Sequence, residues 1–155
     1  MTHTTPTAAT SASPPPRGEG MGVGGVLLAL ALTTPALAQV IPTGTPAADI
    51  LLSQAIAEHR VFLTCSALDP ALHQQILTNW QRDTAAAAAI LKTHNVPPEA
   101  IAAFTTAADP KALMPTEDTP WAEVKGLCDT HPDWQQRYFQ FNLILLDLKL
   151  PAAFE

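Results

Sequence analysis

The sequence predicts an all-α fold, a small helical bundle of three principal helices and two short ones that is stapled by one disulfide. Apolar residues beyond residue 46 recur three and four positions apart, the spacing of one helix face. No stretch alternates apolar and polar residues for long enough to form a strand. Most prolines beyond residue 38 stand at inferred helix ends, where proline presets the first turn or stops the helix. These prolines are Pro46, Pro70, Pro98, Pro110, Pro120, Pro132 and Pro151.

The composition is that of one globular domain. The chain has 155 residues, of which 47% are hydrophobic and 14% are charged. Its formal net charge is -6, and no block of Lys and Arg occurs. Proteins bind nucleic acid and anionic lipid through clusters of basic residues, so neither is predicted as a partner.

The first 38 residues have the composition of a leader. Residues 1–20 are rich in Thr, Ser and Pro and predict a disordered extension. Residues 21–38 predict a signal peptide, because an apolar run is followed by Pro35 and by the small-x-small triplet that ends at Ala38. The run is shorter than the roughly 20 residues that span a bilayer. We therefore expect cleavage after Ala38, no membrane span afterwards, and a periplasmic or secreted protein; a start at Met21 and an uncleaved anchor are the alternatives.

Residues 39–45 are predicted to be a tether, and residues 46–155 a single α-helical domain. The first helix begins at Pro46 and ends near Cys65 and Ser66. One apolar stripe along it is interrupted by a histidine. The stripe comprises Leu52, Ile56, His59 and Leu63.

The second helix is predicted to be the longest element. Asp69 and Pro70 supply an N-cap and a first-turn proline, and the helix runs to His94. Its buried side is predicted to contain Leu72, Ile76, Trp80, Ala87 and Leu91.

Three further segments complete the domain. A short third helix begins at Pro98, and the Asp-Pro pair at 109–110 precedes a single turn that ends at Pro115. A fourth helix opens at Thr119 and Pro120. The fifth begins at residues 132–133 and is expected to be broken by Pro151.

The two cysteines, Cys65 and Cys128, both follow the predicted cleavage site. Exported proteins enter an oxidising compartment, so we expect one disulfide between them. Two free thiols are the alternative.

The sequence favours a binding protein over an enzyme, and no catalytic residue is predicted. Beyond residue 38 only Gly44 and Gly126 remain, too few for a phosphate-binding loop or a dinucleotide fingerprint. Ser66, Asp69 and His73 have the residue types of a hydrolase triad, but no G-x-S-x-G motif surrounds the serine.

Aromatic residues are concentrated near the C-terminus and are the candidate binding residues. Aromatic side chains dominate binding hot spots, although they also fill cores. We expect the partner to be an envelope protein or a small hydrophobic ligand; no oligomeric state is predicted. The candidates are Trp121, Trp134, Tyr138 and Phe141.

Two histidines are candidate metal ligands, although no cofactor is the main expectation. His59 interrupts an apolar stripe, and His131 follows Cys128 with C-x-x-H spacing. Covalent haem requires C-x-x-C-H, which is absent from the sequence, whereas non-covalent haem is conceivable at His59 or His94. The alternative function is accordingly a metal- or haem-binding periplasmic redox protein.

Overall fold

A computed structural model describes residues 41–141 and 146–155, without the side chain of Phe141. These residues form seven α-helices, a 3-10 turn over Ser66–Leu68 and no strand, which confirms the all-α class. The predicted extension and signal peptide lie outside the described residues. The helices are α1 (Pro46–Cys65), α2 (Pro70–Thr93), α3 (Pro98–Ala107), α4 (Pro110–Leu113), α5 (Trp121–Asp129), α6 (Trp134–Phe141) and α7 (Leu146–Ala152).

Helix starts follow the predicted capping chemistry. The Asp69 carboxylate accepts a hydrogen bond of 3.1 Å from the backbone N–H of Leu72, and the Asp109 carboxylate accepts one of 2.8 Å from that of Lys111. A proline stands in the first turn of each of α1 to α4. Each cap satisfies a backbone donor that the first helical turn leaves free.

Helix α1 is the hub of the domain, because it contacts α2, α4, α5, α6 and α7. Helix α2 lies against α1, α3 and α7 and contributes the largest buried side chain, Trp80. Phe104 of α3 and Leu150 of α7 are also fully buried. The core therefore lies where α1, α2, α3 and α7 meet.

The disulfide between Cys65 and Cys128 is present, with Cα atoms 5.6 Å apart. It joins the last residue of α1 to the last turn of α5. No residue of α5 is buried. The covalent bond thus attaches a helix that contributes little apolar packing of its own.

A second link attaches α6 to the hub. Arg137 of α6 forms an ion pair with Glu58 of α1, and both side chains are about three-quarters or more buried from solvent. Tyr138, next to Arg137, accepts a hydrogen bond of 2.8 Å from the Asn79 amide of α2. Helix α6 therefore contacts the domain through polar groups as well as apolar ones.

Residues 41–45, the described part of the predicted tether, pack onto the domain. Ile41 is fully buried, and the backbone N–H of Thr43 donates a hydrogen bond of 2.8 Å to the Asp49 carboxylate. The carboxylate in the first turn of α1 reaches back to the preceding segment and holds it there. The apolar Ile41 gains a place in the core as a result.

The predicted single turn after Asp109 is present as the four-residue helix α4. One boundary differs from the prediction, because Pro151 lies inside α7 instead of ending it. Pro151 stands near the C-terminal end of α7, so the helix loses only one backbone hydrogen bond and continues to Ala152. The predicted fifth helix is described in two parts, α6 and α7, because residues 142–145 lie outside the described residues.

Candidate functional site

His59 is part of the core. Its ring stacks on Trp80 with centroids 3.8 Å apart, and its Nδ1 donates a hydrogen bond of 2.8 Å to the carbonyl oxygen of Ala55. Burial lowers the pKa of His59 to about 4, although the hydrogen bond to Ala55 acts in the opposite direction. The imidazole is therefore neutral near pH 7 and fills the space between α1 and α2.

His131, the second candidate metal ligand, caps the C-terminal end of α5. Its Nδ1 lies 2.9 Å from the carbonyl oxygen of Leu127 and 3.1 Å from the hydroxyl of Thr130. Cys128 is in the disulfide and offers no thiolate. Across residues 41–141 and 146–155, no three His, Cys, Asp or Glu side chains gather in a group that could hold a metal ion.

His94, the other histidine considered for haem, is exposed at the end of α2. Its ring stacks on Phe154, with centroids 4.3 Å apart. This contact fixes the C-terminal residues of the chain against the α2 terminus.

The structure brings together the serine and histidine of the triad-like set. Ser66 Oγ lies 2.9 Å from His73 Nδ1, but Ser66 is fully buried. The Asp69 carboxylate is engaged as the cap of α2. The pair therefore joins the 3-10 turn to α2 and exposes no nucleophile to a substrate.

The predicted aromatic set does not form one exposed surface. Tyr138 is in the core, where its ring meets Phe62 edge-on at 5.5 Å and burial raises the pKa of its hydroxyl. Trp134 is half-buried against the core, and the side chain of Phe141 lies outside the described residues. Trp121 is exposed, with 63% of its surface open to solvent.

An apolar surface that the sequence analysis missed lies between α1 and α7. Ile50 and Leu148 expose 59% and 67% of their surfaces, unusually large fractions for these residue types. They border an open groove of about 500 Å³. We call it the α1–α7 surface; it includes Ala47, Ile50, Leu51, Leu148, Ala152 and Ala153. Ile50 falls outside the apolar stripe of α1, which is the signal that could have revealed it.

A second depression lies where α1, α4 and α5 meet. This α1–α4–α5 cleft has a volume of about 510 Å³. Its lining includes Arg60, Lys111, Leu113, Met114, Val124 and Leu127. Two cationic side chains thus accompany an apolar floor.

No helix in the described part of the chain is long and apolar enough to cross a membrane. Compared with protein-family models, with curated proteins and with solved structures, the chain shows no significant match.

Proposed function

We propose that this protein is a small exported α-helical protein of the cell envelope that acts by binding a partner protein, not by catalysis. The observation that carries the proposal is the α1–α7 surface, where the side chains of Ile50 and Leu148 border one groove and are each more than half exposed. Contiguous exposed apolar area of this kind is typical of interaction sites. A small hydrophobic ligand is the other occupant that the sequence suggests.

The shape of the surface favours a protein over a small ligand. Small-molecule sites are concave and enclose most of their ligand. The groove between α1 and α7 is instead open to solvent, and its lining includes three small alanine residues. A partner could place an apolar side chain between Ile50 and Leu148 and cover both.

Two features support export. The leader-like residues 1–38 precede the domain. The Cys65–Cys128 disulfide is of a kind that persists in oxidising compartments. Intact mass spectrometry of the protein from its native compartment is the test. We expect a chain that begins at Gln39 and lacks two hydrogens; a chain that keeps residues 1–38 with both thiols free would contradict export.

Site-specific photo-crosslinking tests the binding proposal. A photoreactive amino acid is placed at position 50 or at position 148 of the full chain in its native cells. We expect both positions to give the same adduct, and the adduct at 148 to disappear when Ile50→Asp is added. A charge in the groove opposes docking of an apolar side chain.

Leu68 provides the matched control, because it is 83% exposed but lies on the 3-10 turn away from the groove lining. The proposal requires no such adduct from position 68. Equal adducts at 68 and 148, or no adduct at all, would overturn it. An adduct with twice the mass of the chain would mean that the partner is a second copy of this protein.

A further inference from the structure

We propose that the α1–α4–α5 cleft is a second binding site, which takes a monocarboxylate with a medium-length apolar chain, such as a fatty-acid anion. This site is independent of the α1–α7 surface. Ile50 and Arg60 lie ten residues apart on the same helix, which separates them by about 15 Å along its axis. Either site could therefore be occupied without the other.

The lining of the cleft contains two cationic side chains and one anionic one, in a protein whose net charge is negative. Arg60 of α1 and Lys111 of α4 line it, whereas the chain as a whole has a formal net charge of -6. Both side chains belong to exposed residues, and neither forms an ion pair with any described residue. Because neither cation is engaged in an ion pair, each can form a charge-assisted hydrogen bond to a carboxylate in the cleft.

The acidic side chains near the cleft restrict the ligand to a single negative charge. Glu123 of α5 is the acidic residue within the lining. Glu117 and Asp118 are exposed on the adjacent loop, whose residues Thr116 and Thr119 line the cleft. A monocarboxylate balances the single positive charge that Arg60, Lys111 and Glu123 leave in the lining. A phosphate or dicarboxylate would exceed that charge and would be repelled more strongly by the loop carboxylates.

The floor of the cleft suits an apolar chain. Leu113 is buried, and Met114, Val124 and Leu127 are half-buried, so each presents apolar surface to the space. The volume of about 510 Å³ falls within the range of small-molecule sites, and the cleft is more enclosed than the groove of the α1–α7 surface. Methionine adapts its shape to flexible ligands, which fits a chain with many rotamers.

The disulfide links two of the walls. Thr64 and Leu127 line the cleft, and each precedes one of the bonded cysteines. Since α5 buries no residue, the bond contributes to holding Val124 and Leu127 beside α1. Binding therefore depends on the oxidised protein.

Calorimetric titration of the full natural protein, purified without reductant, tests the proposal. The probe is sodium decanoate below its micellar concentration, and the comparison ligands are decanol and decyltrimethylammonium. We expect decanoate to bind one site, and Arg60→Gln or Lys111→Gln to weaken it about tenfold, as loss of one charge-assisted contact does. Glu123→Gln is expected to strengthen it.

Lys92→Gln is the matched control, because it removes the same charge from the last turn of α2, outside both proposed sites. It should leave decanoate binding unchanged, and none of the variants should alter the affinity for decanol. Circular dichroism verifies that each variant is folded. Equal affinity for decanoate and decyltrimethylammonium, binding that survives Arg60→Gln with Lys111→Gln, or no binding would overturn the proposal. Loss of crosslinking at position 148 bears only on the α1–α7 surface and so remains distinguishable.

Discussion

Helices α2 and α5 both lie against α1, but they are attached by different means. Helix α2 buries Ile76, Trp80, Ala87 and Leu91, whereas α5 buries no residue and is joined to α1 by the disulfide. Apolar burial stabilises α2 in proportion to the area removed from water. Helix α5 depends on a bond that restricts the unfolded chain. One domain thus combines two parts that are held differently. The part that contains α2, which we call the packed half, is held by apolar burial, and the other half, which contains α5, is held by a covalent bond.

Trp80→Ala should produce the largest loss of stability, because it removes the centre of the packed half. Trp80 is fully buried, stacks on His59 and donates a hydrogen bond of 2.7 Å to the carbonyl oxygen of Ala108. We expect the free energy of unfolding to fall by about 5 kcal/mol, the upper end for an aromatic deletion. Urea unfolding followed by circular dichroism measures it. A loss below about 2 kcal/mol would mean that the packed half does not depend on this side chain.

Replacing both cysteines by serine should lower the free energy of unfolding by nearly as much, but the effect should be greatest in α5. The bond closes a loop with a sequence separation of 63, for which the chain-entropy model gives about 4 kcal/mol. Hydrogen exchange should show a larger loss of protection in α5 than in α2, whose protection should fall only by the loss of global stability. If both helices lost protection equally, the division between the two halves would be wrong.

Acid should weaken the packed half through His59. Its folded pKa of about 4 lies below the ordinary value of 6.5, so between these pH values the unfolded chain binds a proton that the folded chain does not. The contribution is complete above pH 6.5 and falls by about 3 kcal/mol as the pH drops to 4. His59→Phe keeps an aromatic ring on Trp80 and removes the titration. Urea unfolding of both proteins at the two pH values should show a smaller decrease for the variant, and an equal decrease would contradict this assignment.

Trp121→Ala should have the smallest effect. Trp121 is 63% exposed on α5, and substitutions at exposed positions usually change stability by less than about 0.5 kcal/mol. Thermal unfolding measures the change. The substitution of tryptophan by alanine at positions 80 and 121 thus compares the two halves directly. A large loss of stability at position 121 would show that Trp121 is packed against the domain, in contradiction to its exposure.

Local chemistry made much of the fold predictable. Asp69 and Asp109 each cap a helix whose first residue is a proline, and these signals lie within a few residues of the boundary that they define. Cys65 and Cys128 are the two cysteines of the chain, so an oxidised pair has one arrangement. Such features require no knowledge of distant contacts.

The features that were not predictable depend on residues far apart in the sequence. Arg60 and Lys111 line one cleft only because α1 and α4 pack together, which no local pattern indicates. Tyr138 is a core residue because α6 places it against Phe62 and Asn79. The sequence shows only its aromatic character, which suggested a binding role. Ile41 lies in the core, and the hydrogen bond from the Thr43 backbone N–H to the Asp49 carboxylate holds the segment that contains it.

The position of the two cysteines also sets an order of assembly. During synthesis from the N-terminus, Cys65 emerges with α1, whereas Cys128 emerges only after α2, α3 and α4 are complete. The long helix can therefore find its place on α1 while the thiols are still apart. The disulfide can therefore form only after the segments of α1 to α4 have emerged, and it can join α5 to α1 before α6 and α7 follow.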